Sequence, residues 1–148
     1  MLKLRAGLLE AMLEQAHRDH PLETCGIIAA PVGGPVAERL VAMDNAARSE
    51  TFFSFAPKQQ LAVWRELDER DEECRVIYHS HTASVAYPSA EDVSYAGDES
   101  VHYVIISTVP EVEVAVRSFR IVKRKVTEEV VPVIPFSLAS YATHSQHA

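Results

Sequence analysis

The 148-residue chain is short of cysteine, glycine and tryptophan, with two, five and one of them respectively. Cys25 and Cys74 each lie in or beside an apolar run, so both read as reduced packing residues rather than a disulfide or metal ligands. Cytoplasm is the compartment expected of such a chain. No apolar run approaches the roughly 20 residues of a membrane span, so no membrane role is expected. Near the N-terminus Glu10 and Glu14 break the Leu8-Leu9 run, which argues against a signal peptide. Positive charge is also scarce: 14 Lys and Arg stand against 21 Asp and Glu, a formal net charge of −7 that argues against a nucleic-acid footprint. The absence of a P-C-x-x-C pair excludes a zinc deaminase. Internal repeats, long linkers and low-complexity stretches are missing too.

What remains is a chain whose residues are 47% apolar, enough for one domain that buries about two-thirds of its unfolded surface. That domain is expected over residues 1–136, with a polar, frayed tail over 137–148 whose His144 and His147 are not ligands. Leu8, Leu9, Met12, Leu13 and Ala16 recur at helical spacing, and this helix must end before Pro21. Cys25–Ala30 and Val36–Met43 read as strands joined by the Pro31-Val32-Gly33-Gly34-Pro35 turn. Thr51–Phe55, rich in β-branched and aromatic residues, reads as a short strand. Pro57 suits the first position of a helix with Leu61, Trp64 and Leu67 on one face, Trp64 being a core residue. Val101–Ser107 is an almost continuous apolar strand, expected to be central. Val112, Val114 and Val116 alternate as in a half-exposed strand, and Lys125–Val131 reads as the last one. The basic residues Arg117, Arg120, Lys123, Arg124 and Lys125 alternate with Phe119, Ile121 and Val122, which suggests a solvated strand face. The order of elements is that of an α/β domain.

The densest chemistry lies in His79-Ser80-His81 and, seven residues on, Ser89-Ala90-Glu91-Asp92: H-x-H-x₇-S-x-x-D. Arg75–Tyr78 reads as a strand running into His79, and residues i and i+2 of a strand share a face, so both imidazoles would project together. Pro88 stops the connecting loop. Ser89 reads as the N-cap of a helix through Ala96, ended by Gly97, with Asp92 in its first turn. Ser-x-x-Asp is also close to a capping box, a reading compatible with Asp92 as a ligand. Two imidazoles and one carboxylate leave the fourth tetrahedral position of a zinc ion open for water. Glu23, just before the buried strand Cys25–Ala30, is placed to carry the proton that amide hydrolysis needs.

The stretch resembles the JAMM/MPN+ zinc metalloprotease motif, a glutamate upstream of H-x-H-x₇-S-x-x-D, with every position filled. Glu23-Thr24-Cys25-Gly26-Ile27-Ile28 resembles that family's first-strand pattern as well. The resemblance covers about Glu23 to Ser107. It implies a cytidine-deaminase-like MPN (JAB) domain, a mixed central sheet flanked by helices. It also implies one zinc per chain held by His79, His81 and Asp92, Glu23 as general acid/base, and Ser89 supporting the oxyanion. Thr82 stands where many members have proline. That detail, with His79–Thr82 and Ala86–Ser89 reading His-Ser-His-Thr and Ala-Tyr-Pro-Ser, resembles a bacterial subgroup. The subgroup includes a peptidase that frees cysteine from the C-terminus of a ubiquitin-like sulfur-carrier protein, so the expected partner is such a substrate, with a homo-oligomer left open. An isopeptidase on ubiquitin-like conjugates is the alternative within the class. Outside it stand a non-catalytic MPN scaffold, which would lack the full ligand set, and a RadC-like repair protein. The RadC reading is disfavoured because His81-Thr82-Ala83-Ser84 replaces His-Pro-Ser-Gly. Phe52, Phe53, Cys25 and the segment 82–87 are the near candidates for a substrate cleft.

Overall fold

A computed structural model describes residues 1–131 and 133–134, and the tail expected to fray lies outside them. In chain order the elements are β1 (Leu4–Arg5), α1 (Leu8–Asp19), β2 (Cys25–Pro31), β3 (Arg39–Met43), α2 (Pro57–Glu69) and β4 (Glu72–His81). They continue with α3 (Ala90–Tyr95), β5 (His102–Ser107), β6 (Val116–Val122), β7 (Lys125–Glu129) and β8 (Val133–Ile134). Six strands form one mixed sheet in the order β3-β2-β4-β5-β6-β7, while β1 and β8 pair separately in parallel. Within the large sheet only β4 and β5 run parallel. A parallel pair needs a long crossover, and here that crossover carries the 82–88 loop and α3. Binding sites favour the carboxyl ends of parallel strands, and β4 ends at His81.

The helices cover opposite faces of the sheet, as the α/β expectation requires. On one side Leu8, Met12 and Ala16 of α1, spaced as the sequence suggested, pack with Ile28, Val76, Tyr78, Val104 and Ile106. On the other, Val63 and Leu67 of α2 pack with Cys25, Ile27, Ala29 and Met43. A bulge in the β2–β4 ladder pairs Ile28 with Val76 but Ala29 with Cys74. The extra residue brings Cys74 onto the same face as Ile77, which simple alternation would forbid. Gly26 lies opposite Tyr78, and a Cβ there would sit 2.2 Å from the Tyr78 hydroxyl. The bare backbone therefore admits the tyrosine ring, whose O–H donates to Gln15 Oε1 while Gln15 Nε2 donates to the Cys25 carbonyl.

Three expected elements come out differently. Thr51–Phe55 is no strand: its pairing stops at one isolated bridge between Phe55 and Asn45 and a bond from the Ala46 amide to the Ser54 carbonyl, because the Asn45 side chain takes the Ser54 amide and the Phe52 carbonyl. Val112 and Val114 belong to a loop, and the strand begins only at Val116. The strand read as Val36–Met43 starts at Arg39, Ala37 instead bridging to Leu4. On α2, Leu61 is exposed, since Val63 and Leu67 form the buried face, and half-buried Trp64 packs beside them. The basic cluster of the β6–β7 hairpin is not one solvated face: half-buried Arg117 pairs with Glu128 and lies over the Tyr87 and Phe119 rings. Half-buried Arg120 points to the other face and donates to the Glu99 carbonyl, and exposed Lys123 and Arg124 form the turn in left-handed conformations. Both cysteines are free, Cys25 buried and Cys74 half-buried. No helix among the described residues is long and apolar enough to cross a membrane.

Candidate metal centre

The last turn of β4 and the first turn of α3 bring His79, His81 and Asp92 to one point. His79 Nε2 lies 3.1 Å from His81 Nε2 and 3.2 Å from Asp92 Oδ2, and His81 Nε2 lies 3.1 Å from that same oxygen. Three lone-pair atoms thus form a nearly equilateral triangle. With zinc–ligand bonds of about 2.0–2.1 Å, the edge of a coordination tetrahedron is about 3.3 Å, so the donor set fits that ion with one position left open. The triangle also meets the chemical preference of zinc for imidazole and carboxylate.

Each ligand is oriented by a different device. Asp92 is fixed by a capping box: its amide donates to Ser89 Oγ at 3.0 Å, and the Ser89 amide donates to Asp92 Oδ2 at 2.8 Å. The capping box is thus present, and it leaves Asp92 Oδ2 at the triangle, a position compatible with the ligand expectation. His81 Nδ1–H donates to the Val85 carbonyl at 2.9 Å, which leaves the Nε2 lone pair facing the triangle. His79 is 2% exposed, and its Nδ1 finds no hydrogen-bond partner among the described residues. Its ring instead stacks on Phe53, with centroids 4.5 Å apart and planes 20° from parallel.

Charge at the centre follows from burial and from these contacts. Burial drives the His79 pKa down, against the pull of Asp92, which keeps its lone pair free. For His81 burial also lowers the pKa, but hydrogen bonds to Asp92 and the Val85 carbonyl outweigh it and the net shift is upward. Asp92 is desolvated, yet its close contacts with both histidines and the Ser89 amide hold its carboxyl far below the usual range.

Glu23 borders the same centre from just ahead of β2, whose first residue, Cys25, pairs with His79. Its carboxyl is 5% exposed, and burial pushes its pKa up to about 8, opposed by His81 and reinforced by Asp92 and Glu91. The backbone around it is clamped. The Glu23 amide donates to the Ser49 carbonyl, Asn45 Nδ2 donates to the Glu23 carbonyl, and the Thr24 amide donates to Ser80 Oγ at 2.7 Å. Ser80, the residue between the two histidines, points to the opposite face and ties β2 to β4 there.

A cleft of about 620 Å³ opens from His79 and Asp92, walled by Phe52, Phe53, Phe55, Trp64, Tyr95 and Tyr103. Phe52 and Tyr95 stand 5.4 Å apart across it, and Cys74 also lines it. Of the expected cleft residues, Phe52 and Phe53 are present. Cys25 is instead packed in the core, and the 82–87 segment lies elsewhere, Thr82 donating to the Glu50 carbonyl and Tyr87 packing edge-on to Phe119. Tyr95 and Trp64 were missed as cleft residues because a helical aromatic reads first as core. Asn45 was missed as well, although Asp44-Asn45 after a strand carries a turn signal: the Ala47 amide donates to Asn45 Oδ1.

Residues 5–122 match the family model for prokaryotic homologues of the JAB domain. A CysO-cysteine peptidase of Mycobacterium tuberculosis is 48% identical over 134 residues, covering 90% of this chain and 92% of the relative, and its Mycobacterium bovis counterpart matches equally. A solved protein of Desulfitobacterium hafniense superposes with a TM-score of 0.79 at 32% identity, over 94% of this chain and 97% of its own. A JAB1/MPN domain protein of Archaeoglobus fulgidus shares the fold, with a TM-score of 0.61 at 22% identity over 90% and 97% of the two chains.

Proposed function

The chain belongs to the prokaryotic JAB family, and from that premise we propose that it is a zinc-dependent peptidase releasing cysteine from the C-terminus of a ubiquitin-like sulfur carrier. The observation that carries the chemistry is the triangle of His79 Nε2, His81 Nε2 and Asp92 Oδ2 beside a buried carboxyl. The substrate assignment is supported by the 48% identity to CysO-cysteine peptidase, which extends over nine-tenths of both chains.

His79, His81 and Asp92 would hold one zinc ion. When bound, zinc supplies an electrophile for the scissile carbonyl and lowers the pKa of an attacking water. Glu23 takes the proton of that water and hands it to the departing amine, so water and amide become carboxylic acid and amine. Its burial raises its affinity for a proton, and a bound cation beside it would favour the ionised form in which it must begin. Ser89 Oγ accepts the Asp92 amide, so its own O–H remains available to donate to the developing oxyanion. The aromatic cleft excludes water from one flank of the centre. Cysteine joined by an ordinary peptide bond to a glycine-ended tail suits such a site, because glycine lets the backbone approach closely.

The test is to incubate zinc-loaded protein with the carrier–cysteine adduct, an isopeptide-linked ubiquitin-like dimer and the isolated tail peptide. Mass spectrometry should report loss of one cysteine from the adduct, faster than from the peptide and abolished by chelator. Cleavage of the dimer with the adduct untouched would overturn the cysteine assignment in favour of an isopeptidase. No cleavage at full zinc occupancy would overturn it in favour of another substrate. Two variants probe the machinery. His79→Ala or Asp92→Ala should lose most of the metal, whereas Glu23→Gln should keep it and lose activity by about 10²–10⁴.

A further inference from the structure

One side chain outside the motif is wired to both halves of the centre. Asn45 follows β3, and the 45–54 segment folds around its amide. Its Nδ2 donates to the Glu23 carbonyl at 3.1 Å and to the Phe52 carbonyl at 2.9 Å, with Ser49 O at 3.5 Å. Its Oδ1 accepts from the Ala47 amide at 3.0 Å and the Ser54 amide at 3.3 Å. Phe52 O and Ser54 N flank Phe53, so the two ends of one amide grip the backbone on both sides of the ring that stacks on His79.

That grip matters because, away from the triangle, the His79 ring has no hydrogen bond among the described residues to hold its plane. His81 is held by the Val85 carbonyl and Asp92 by the capping box, but His79 Nδ1 has no hydrogen-bond partner among the described residues. Phe53 therefore does by stacking what a hydrogen bond does for the other imidazole. The same amide fixes the carbonyl of Glu23, whose carboxyl must meet the attacking water. We propose that Asn45 is the positioning residue of this centre, setting the ring plane of His79 through Phe53 and the place of Glu23 through its backbone. The proposal deepens the peptidase reading and rests on His79 as a ligand.

Asn45→Asp is the discriminating variant. It keeps the Oδ1 acceptor for Ala47 and Ser54, and turns an acceptor oxygen toward the Glu23 and Phe52 carbonyls in place of the donor. Zinc affinity is read by competition with a chromophoric chelator in wild type, Asn45→Asp, Phe53→Leu and the double variant. Outer contacts of metal ligands are worth about 10–100-fold in affinity, so each single variant should weaken zinc by about 10-fold. If Asn45 acts through Phe53, the double variant should be within about 2-fold of Phe53→Leu. Phe53→Tyr, which keeps the ring, should restore wild-type affinity. Hydrogen exchange gives a second readout that needs neither metal nor substrate. In Asn45→Asp the amides of Glu23 and Ala46, bonded to the Ser49 and Ser54 carbonyls, should exchange faster, while those of Ile27 and Ile77 in the central ladder stay protected. Unchanged zinc affinity in Asn45→Asp, additive losses in the double variant, or loosening of the whole sheet would each overturn the proposal. His79→Ala tests the underlying ligand reading separately: full zinc in that variant would sink the reading, and the exchange pattern would still decide what Asn45 holds.

Discussion

Glu23 behaves very differently from its free amino acid. Its pKa is raised to about 8, chiefly by burial, so the folded chain keeps a proton that the unfolded chain releases near its ordinary value of 4.5. Between those two pH values the native state binds more protons than the unfolded one, and stability falls as pH rises. In metal-free protein, Glu23→Gln should therefore melt higher relative to wild type at pH 8 than at pH 5. Parallel melting curves across that range would show that the carboxyl is not desolvated. A bound cation beside the carboxyl should flatten the difference, because its charge favours the ionised form. The residues of the motif were legible because zinc chemistry demands particular side chains at particular spacings, and His79, His81 and Asp92 do converge. Asn45 and Ser80 were not legible, and Phe53 was legible as a cleft residue but not as the ring stacked on His79. Their contribution is to aim other groups through backbone carbonyls, a ring face and an amide, and none of these leaves a spacing signature.

At the scale of elements, the β2–β4 pairing depends on the absence of a side chain at position 26. Gly26→Ala would place a methyl within van der Waals overlap of Tyr78, and either the ring or the strand must shift. Overpacking of this kind costs about 1–3 kcal/mol, and here it also pulls the tyrosine hydroxyl from Gln15. Denaturant unfolding should show that loss, and a variant as stable as wild type would mean the sheet yields freely at this pair. Ser89→Ala should cost about 1 kcal/mol as a lost helix cap and weaken zinc binding as well, because the capped turn carries Asp92. Ser89→Thr should recover both. Helix α1 and strands β2 and β5 were readable because one buried face or a fully buried run imposes a clear pattern. Thr51–Phe55 deceived because strand composition creates a strand only where another backbone offers hydrogen bonds. Its aromatic rings are spent on the cleft and on His79 instead. Val112 and Val114 deceived for the converse reason: alternation without a buried face is coincidence.

For the molecule as a whole, metal and fold are coupled by mass action. A ligand present at 1,000 times its dissociation constant, bound only by the folded chain, adds about 4.1 kcal/mol. For a domain of this size that corresponds to a rise in Tm of about 8–16 °C. Chelator should lower the melting temperature of the loaded protein by that order, and should leave His79→Ala unmoved. An equal chelator response in the variant would place the metal elsewhere. One further consequence lies in how the centre is distributed along the chain. His79, His81 and Asp92 come from one contiguous stretch, the end of β4 and the start of α3, whereas Glu23 stands just ahead of β2 and is brought to them by a long-range ladder. The proposed machinery is thus made of two parts joined by backbone pairing. Should β2 part from β4, the blade leaves its hilt although each piece is whole.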